Sequence, residues 1–163
     1  MVKNSKCCND DYKNLANVIS NSAFPSSLNT EEAAPLYSID SLDWTISNDT
    51  LTLICLNSGV WNVSAVYQVK ALDVGLGKMK CMFNINGNDF KTTANVATIL
   101  TPIDSDYIPD NSSQQVILCI GLVQKFNKGD KLQFMAKSAN QSIPTSTVLN
   151  IEVTGVIVTM IKR

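Results

Sequence analysis

Residues 59–71 read GVWNVSAVYQVKA, and their spacing leaves little freedom in how the segment folds. Trp61, Val63, Ala65, Tyr67 and Val69 fall on one parity, and Val60, Asn62, Ser64, Val66 and Gln68 on the other. A two-residue period belongs to a strand, because successive side chains of an extended backbone point to opposite sides. The face carrying the aromatic and aliphatic residues is expected in a core, together with Leu132 and Phe134 from a later run. The other face mixes Val with amides and a hydroxyl, which predicts partial cover by something else. What covers it bears directly on function.

The same texture continues along the chain. Short β-rich runs occupy 36–39, 42–46, 51–56, 60–71, 78–84, 92–100, 115–126, 131–137 and 147–161. Turn residues separate them at 47–49, 57–59, 86–88, 127–130 and 140–144. Many strands without a convincing long helix predict an all-β fold, a single jelly-roll sandwich spanning 36–163. Residues 1–35 are polar and weakly periodic, and they read as a short N-terminal arm. Within it, Tyr12, Leu15, Val18 and Ile19 have the spacing of one or two amphipathic helical turns.

A chain of 163 residues with 45% hydrophobic and 17% charged side chains has enough apolar material for a real core. Its formal charge is −1, and of 13 basic residues only Arg163 is arginine. No basic block or arm exists, so no nucleic-acid partner is expected. The N-terminal stretch lacks the apolar centre of a signal peptide. The longest apolar stretch, 148–161, is interrupted by Asn150, Glu152 and Thr154 and is too short to span a bilayer. The expectation is a chain without a membrane span that reaches an exterior location by lysis. Of five cysteines, Cys55, Cys81 and Cys119 sit in apolar runs and read as buried thiols. Cys7 and Cys8 stand together in the polar arm, where a pair of sequence neighbours is better placed to cross-link another chain than to bond within itself.

Groups for chemistry are sparse. The chain has no His, which removes the favoured general base and the commonest nitrogen ligand for zinc. Close acidic pairs occur at Asp10-Asp11, Glu31-Glu32, Asp40 with Asp43, and Asp104 with Asp106, each in a loop or arm setting that explains it by solvation. The acidic loop at 102–113, with Asp104, Asp106 and Asp110, lacks the Gly and distal Glu of a helix-loop-helix calcium site. Asn-X-Ser/Thr triplets at Asn48, Asn62, Asn111 and Asn140 are weak acceptor signals in so Asn-rich a chain. No enzyme activity, metal or cofactor is expected.

From residue 51 onward, the order of SGVWNVSAVYQV, KCMFNINGNDF, SSQQVILCIGLVQKFNKGDKLQFMAKS and LNIEVTGVIVTMIK resembles the complement globular-head branch of the tumour-necrosis-factor superfamily. Gly59-Val60-Trp61 matches that family's aromatic strand start, and Ile85-Asn86-Gly87 its Asn-Gly turn. Gly129-Asp130 matches the turn between two apolar strands, and Gly155 the small residue inside the last strand. The aromatic-rich entry segment and collagen-like stem of the vertebrate branch are missing, so the likeness is nearer to microbial and viral members. The resemblance implies a homotrimer packed along strands of the sandwich, with Val60, Asn62, Ser64, Val66 and Gln68 as the candidate trimer interface. The leading expectation is a structural subunit of an exterior assembly, such as a virion surface layer, vertex or fibre head. Its arm would join neighbouring shell or coat proteins through Cys7 and Cys8. The alternatives are a spore-surface subunit and a receptor- or glycan-binding head using the loops at 73–77, 102–113 and 140–144.

Overall fold

Extended backbone accounts for all the regular structure among the described residues. The structure is a computed structural model, and it describes residues 15–20, 30–71, 76–90, 96–100, 115–140 and 151–163. No helix occurs among them. The strands are β1 (Leu15–Ser20), β2 (Glu31–Ala33), β3 (Ser38–Asp40), β4 (Trp44–Ile46), β5 (Leu53–Cys55), β6 (Gly59–Ala71), β7 (Leu76–Ile85), β8 (Asn88–Phe90), β9 (Val96–Leu100), β10 (Gln115–Phe126), β11 (Lys131–Asn140) and β12 (Ile151–Lys162). They form a five-stranded sheet ordered β10-β6-β12-β1-β3 and a seven-stranded sheet built on β4-β5-β11-β7-β8. The chain passes from one sheet to the other after β1, β2, β3, β5, β6, β9, β10 and β11, so sequence neighbours repeatedly end in opposite layers. This is the antiparallel double-sheet order of a jelly roll, the sandwich that the resemblance implied.

Alternation places the core between the layers. Trp61, Val63, Ala65, Tyr67 and Val69 point inward from β6 and are all buried, as are Leu132 and Phe134 of β11. Phe83 and Phe134 meet edge to face at 5.9 Å, and the Tyr67 hydroxyl donates to the Met82 carbonyl 3.4 Å away in the other sheet. Burial of a large apolar side chain contributes roughly 1.5–3 kcal/mol, so this layer supplies most of the driving force for folding. At one end the Asn86-Gly87 turn joins β7 to β8 with both residues at positive φ (53° and 82°), the backbone that a two-residue hairpin demands.

Four readings change. Leu15–Ser20, expected as a helical turn in the arm, is strand β1, paired along its whole length with β12 and then with β3. Its apolar spacing suited either conformation, and a six-residue ladder from the far end of the chain decides between them. With β2 paired to residues 135–137 of β11, the sandwich takes in residues assigned to the arm. Strand β8 begins at Asn88, which the sequence places in the 86–88 turn, and its three residues carry no periodicity of their own. The last strand, finally, is not a regular ladder: Val153 pairs with Val69, but the next pair is Gly155 with Gln68. Thr154 is the extra residue of a β-bulge, and its hydroxyl donates to the Gln68 carbonyl at 3.3 Å. The bulge resets the parity, so that Val153, Val156, Val158 and Met160 all face the core.

The sheet margins differ. β5 and β2 share one edge of β11 end to end, and β8 and β9 share one edge of β7. β3 closes the five-stranded sheet with three residues on one side. Its other margin, β10, runs for twelve residues and pairs only with β6 among the described residues.

Because Thr154 is surplus to the ladder, its deletion leaves a regular register and is expected to cost no more than about 1–2 kcal/mol. Deleting Thr159, five residues on in the regular part, turns either Met160 or the preceding core residues outward and is expected to cost at least about 3 kcal/mol. Urea unfolding of the two deletion variants distinguishes the outcomes, and equal losses would contradict the assigned bulge.

Candidate functional site

The outward parity of β6 lies across the middle of an apolar surface. Register sets each residue between two neighbours: Asn62 between Val123 and Ile161, Ser64 between Gly121 and Thr159, Val66 between Cys119 and Ile157, and Gln68 between Ile117 and Gly155. Val60 stands beside Lys125 at one end. Of the five candidate interface residues, Val66 is half-buried and Val60, Asn62, Ser64 and Gln68 are exposed. The larger apolar side chains belong to the flanking strands: Ile117 is 66% exposed, Val123 53%, Ile161 48% and Ile157 47%. These four were not among the residues singled out from the sequence. Their signal is present, since β10 and β12 read as nearly unbroken apolar runs, which mark a strand with both faces apolar. By register, Leu15 and Ile19 of β1 stand opposite Ile161 and Ile157.

One end of this sheet is held by an aromatic cluster. Trp44 meets Trp61 edge to face at 5.7 Å and Phe126 at 5.0 Å. Such pairs add about 0.5–1.5 kcal/mol each beyond their burial. The Lys162 ammonium lies 5.5 Å from the Trp61 ring centre and 3.4 Å from Asp43 Oδ1. Its stem crosses Gly59 so closely that a Cβ there would come within 2.5 Å of Lys162 Cε. Glycine opens β6 because a lysine lies where a side chain would be.

Cysteines divide by parity. Cys55 and Cys81 are buried, and burial pushes the Cys81 thiol up to about 12 and raises that of Cys55. Both are therefore poor nucleophiles at neutral pH. Cys119, read as buried from its apolar run, is exposed, because Ile120 and Leu122 fix the inward parity of β10 and leave Cys119 on the outer face. Cys7 and Cys8 lie outside the described residues, as do residues 102–113 and most of the loops at 73–77 and 140–144.

Acidic groups are dispersed. Asp43 takes the Lys162 ion pair, Glu31 lies 4.0 Å from Lys137, and Asp40 is exposed. No group of three or more His, Cys, Asp or Glu side chains is placed to hold a metal ion among the described residues. Nor is any helix among them long and apolar enough to cross a membrane.

A polar cleft of about 540 Å³ lies at the turn end of the seven-stranded sheet. Asn84 and Gln133, paired across β7 and β11, belong to its lining, with Asp49 and Thr52 from the β4–β5 connection. The Asp49 carboxylate accepts from the Ser47 hydroxyl, from Leu51 N at 2.8 Å and from the Thr52 hydroxyl at 3.1 Å. Those bonds hold its pKa below the ordinary 3.8, the Ser47 hydroxyl most of all. They also brace Thr50, a β-branched residue at φ 58° in the left-handed region. Because the folded pKa is depressed, the bracing is complete above the ordinary carboxylate value and is lost as pH falls through the lower folded one. Asp49→Asn is therefore expected to be less stable than the parent at neutral pH, with the gap closing as pH falls below the ordinary carboxylate value. Urea midpoints against pH measure this, and a constant gap would remove Asp49 as the titrating group.

No family model matches the chain, and no curated protein matches it either. Among solved structures, the crystal structure of murine APRIL is similar in fold over 92% of this chain and 98% of that one, with 13% identity and a TM-score of 0.49. The jelly-roll assignment rests on the strand order and register above.

Proposed function

We propose that the chain is a non-enzymatic structural subunit that forms a homotrimer through the outer face of its five-stranded sheet. In this proposal the trimer stands on the exterior of a larger particle, such as a virion surface, vertex or fibre head. One observation carries the reading: Ile117, Val123, Ile157 and Ile161 leave large apolar area exposed on adjacent strands around the outward residues of β6. Along that face, Lys125 lies beside Val60 at one end and Lys70 follows Gln68 at the other. An apolar centre with a charged margin is the anatomy of a protein interface, and a contiguous patch of this kind marks an interaction site. A second copy of the same surface supplies matching apolar area without any charge to desolvate at the centre. The threefold number comes from the family resemblance. The exterior location comes from the resemblance to a mostly extracellular family, with the paired arm cysteines, Cys7 and Cys8, as the tether to neighbouring coat proteins.

Light scattering on the purified chain is expected to give three times the 17.8 kDa subunit mass, and Ile157→Lys a folded species of one subunit mass. In a Cys7→Ser, Cys8→Ser background, Cys119 is expected to react with a thiol reagent at least about tenfold faster in the Ile157→Lys variant than in the trimer, with Cys55 and Cys81 silent until unfolding. A parent chain that runs as a single subunit at micromolar concentration overturns the proposal. The tether has its own readout: thiol-sensitive covalent oligomers on a non-reducing gel, abolished by replacing Cys7 and Cys8 with serine.

A further inference from the structure

The polar cleft lies on the sheet opposite the proposed trimer face, and its chemistry selects one class of ligand. Every side chain in its lining is a hydrogen-bonding one, and Gly87 and Gly129 supply the rest. Its volume, about 540 Å³, lies within the ~300–1,000 Å³ of small-molecule sites, and its surface is divided between polar and apolar atoms, which suits a ligand with both hydroxyl edges and C–H faces. Charge narrows the choice further. Asp49, held ionised by its three donors, repels an anion such as phosphate, and the Lys131 ammonium repels a cation. A neutral ligand rich in hydroxyl groups suits both.

The groups are also set in advance. Gln133 Nε2 donates to Thr52 Oγ1 at 3.0 Å, and Thr52 Oγ1 donates to Asp49 Oδ2 at 3.1 Å. This chain fixes the Gln133 amide so that its oxygen is left as an acceptor, and it leaves Asp49 Oδ2 room for a further donor. On the other side, Asn86 Oδ1 accepts from Lys131 N at 2.8 Å while its amide donates to Asp130 at 3.0 Å, which ties the two turns together. The Asp49 and Gln133 acceptors, with Lys131 in the same lining as a source of donors, suit a vicinal diol, in which one hydroxyl donates and its neighbour accepts. We infer that the cleft bordered by Asp49, Thr52, Gln133 and Lys131 is a binding site for a neutral saccharide unit.

This site is distinct from the loops at 73–77, 102–113 and 140–144, and it does not depend on trimer formation. Saturation-transfer NMR on the full-length chain, with a panel of neutral mono- and disaccharides and with inorganic phosphate as competitor, tests it. The expected result is saturation transfer to at least one neutral sugar, unchanged by phosphate. Gln133→Met and Lys131→Met are each expected to weaken that binding about tenfold, the loss of one hydrogen bond involving a charged or buried group. Lys131 is exposed, so its variant keeps the assay informative if the Gln133 variant fails to fold. Asn62→Ala, on the other sheet, is expected to bind as the parent does. Saturation transfer to no sugar, displacement by phosphate, or binding as tight as the parent's in both cleft variants would each overturn the assignment.

Discussion

The pleat of β6 couples the inside of this molecule to its outside. The strand lies between β10 and β12, and its register with both is continuous apart from the single bulge. Once Trp61 and Tyr67 are committed to the core, Val60 and Val66 have to leave it, since a strand side chain has only two directions. The same rule acts on both neighbours, which brings Val123 and Ile161 to either side of Asn62 and Cys119 and Ile157 to either side of Val66. The outer apolar surface is thus a consequence of core packing together with the apolar residues at the alternate positions.

Much of this was legible before any coordinates. The alternation of 59–71, the Asn86-Gly87 turn and the Gly129-Asp130 turn are local signals, and local signals survive in a single sequence. What escaped depends on distant partners. Leu15–Ser20 carries apolar residues at spacings that satisfy a helix as well as a strand, and only pairing with residues 156–161 settles the matter. The Thr154 bulge is invisible without a partner strand, because an extra residue exists only relative to the ladder it interrupts. Cys119 was misread for a related reason: in an unbroken apolar run, composition does not say which parity faces the core. The cleft was missed entirely, since Asp49, Thr52, Asn84 and Gln133 come from separate turns and strands and none is unusual alone.

The two sheets have come to serve opposite purposes. The five-stranded sheet presents oil and the seven-stranded sheet, at its turn end, presents fixed hydrogen-bonding groups. Between them the aromatic cluster of Trp44, Trp61 and Phe126 clamps the end where β4, β6 and β10 converge, with the Lys162–Asp43 pair set over it. The surface proposed to join copies and the cleft proposed to take a ligand therefore lie on different sheets of the sandwich.

The unequal sheet margins carry a further consequence. Where three-residue strands meet end to end along β11 and β7, an incoming backbone finds no long uninterrupted row of amides and carbonyls on which to grow. β10 offers such a row over twelve residues, and its side chains toward the outer face include Ile117 and Val123. A long, flat, apolar rim is a template for runaway cross-β growth. Keeping that rim occupied is thus a matter of solubility as much as of architecture, and a lone copy of this chain is most vulnerable to aggregation along β10.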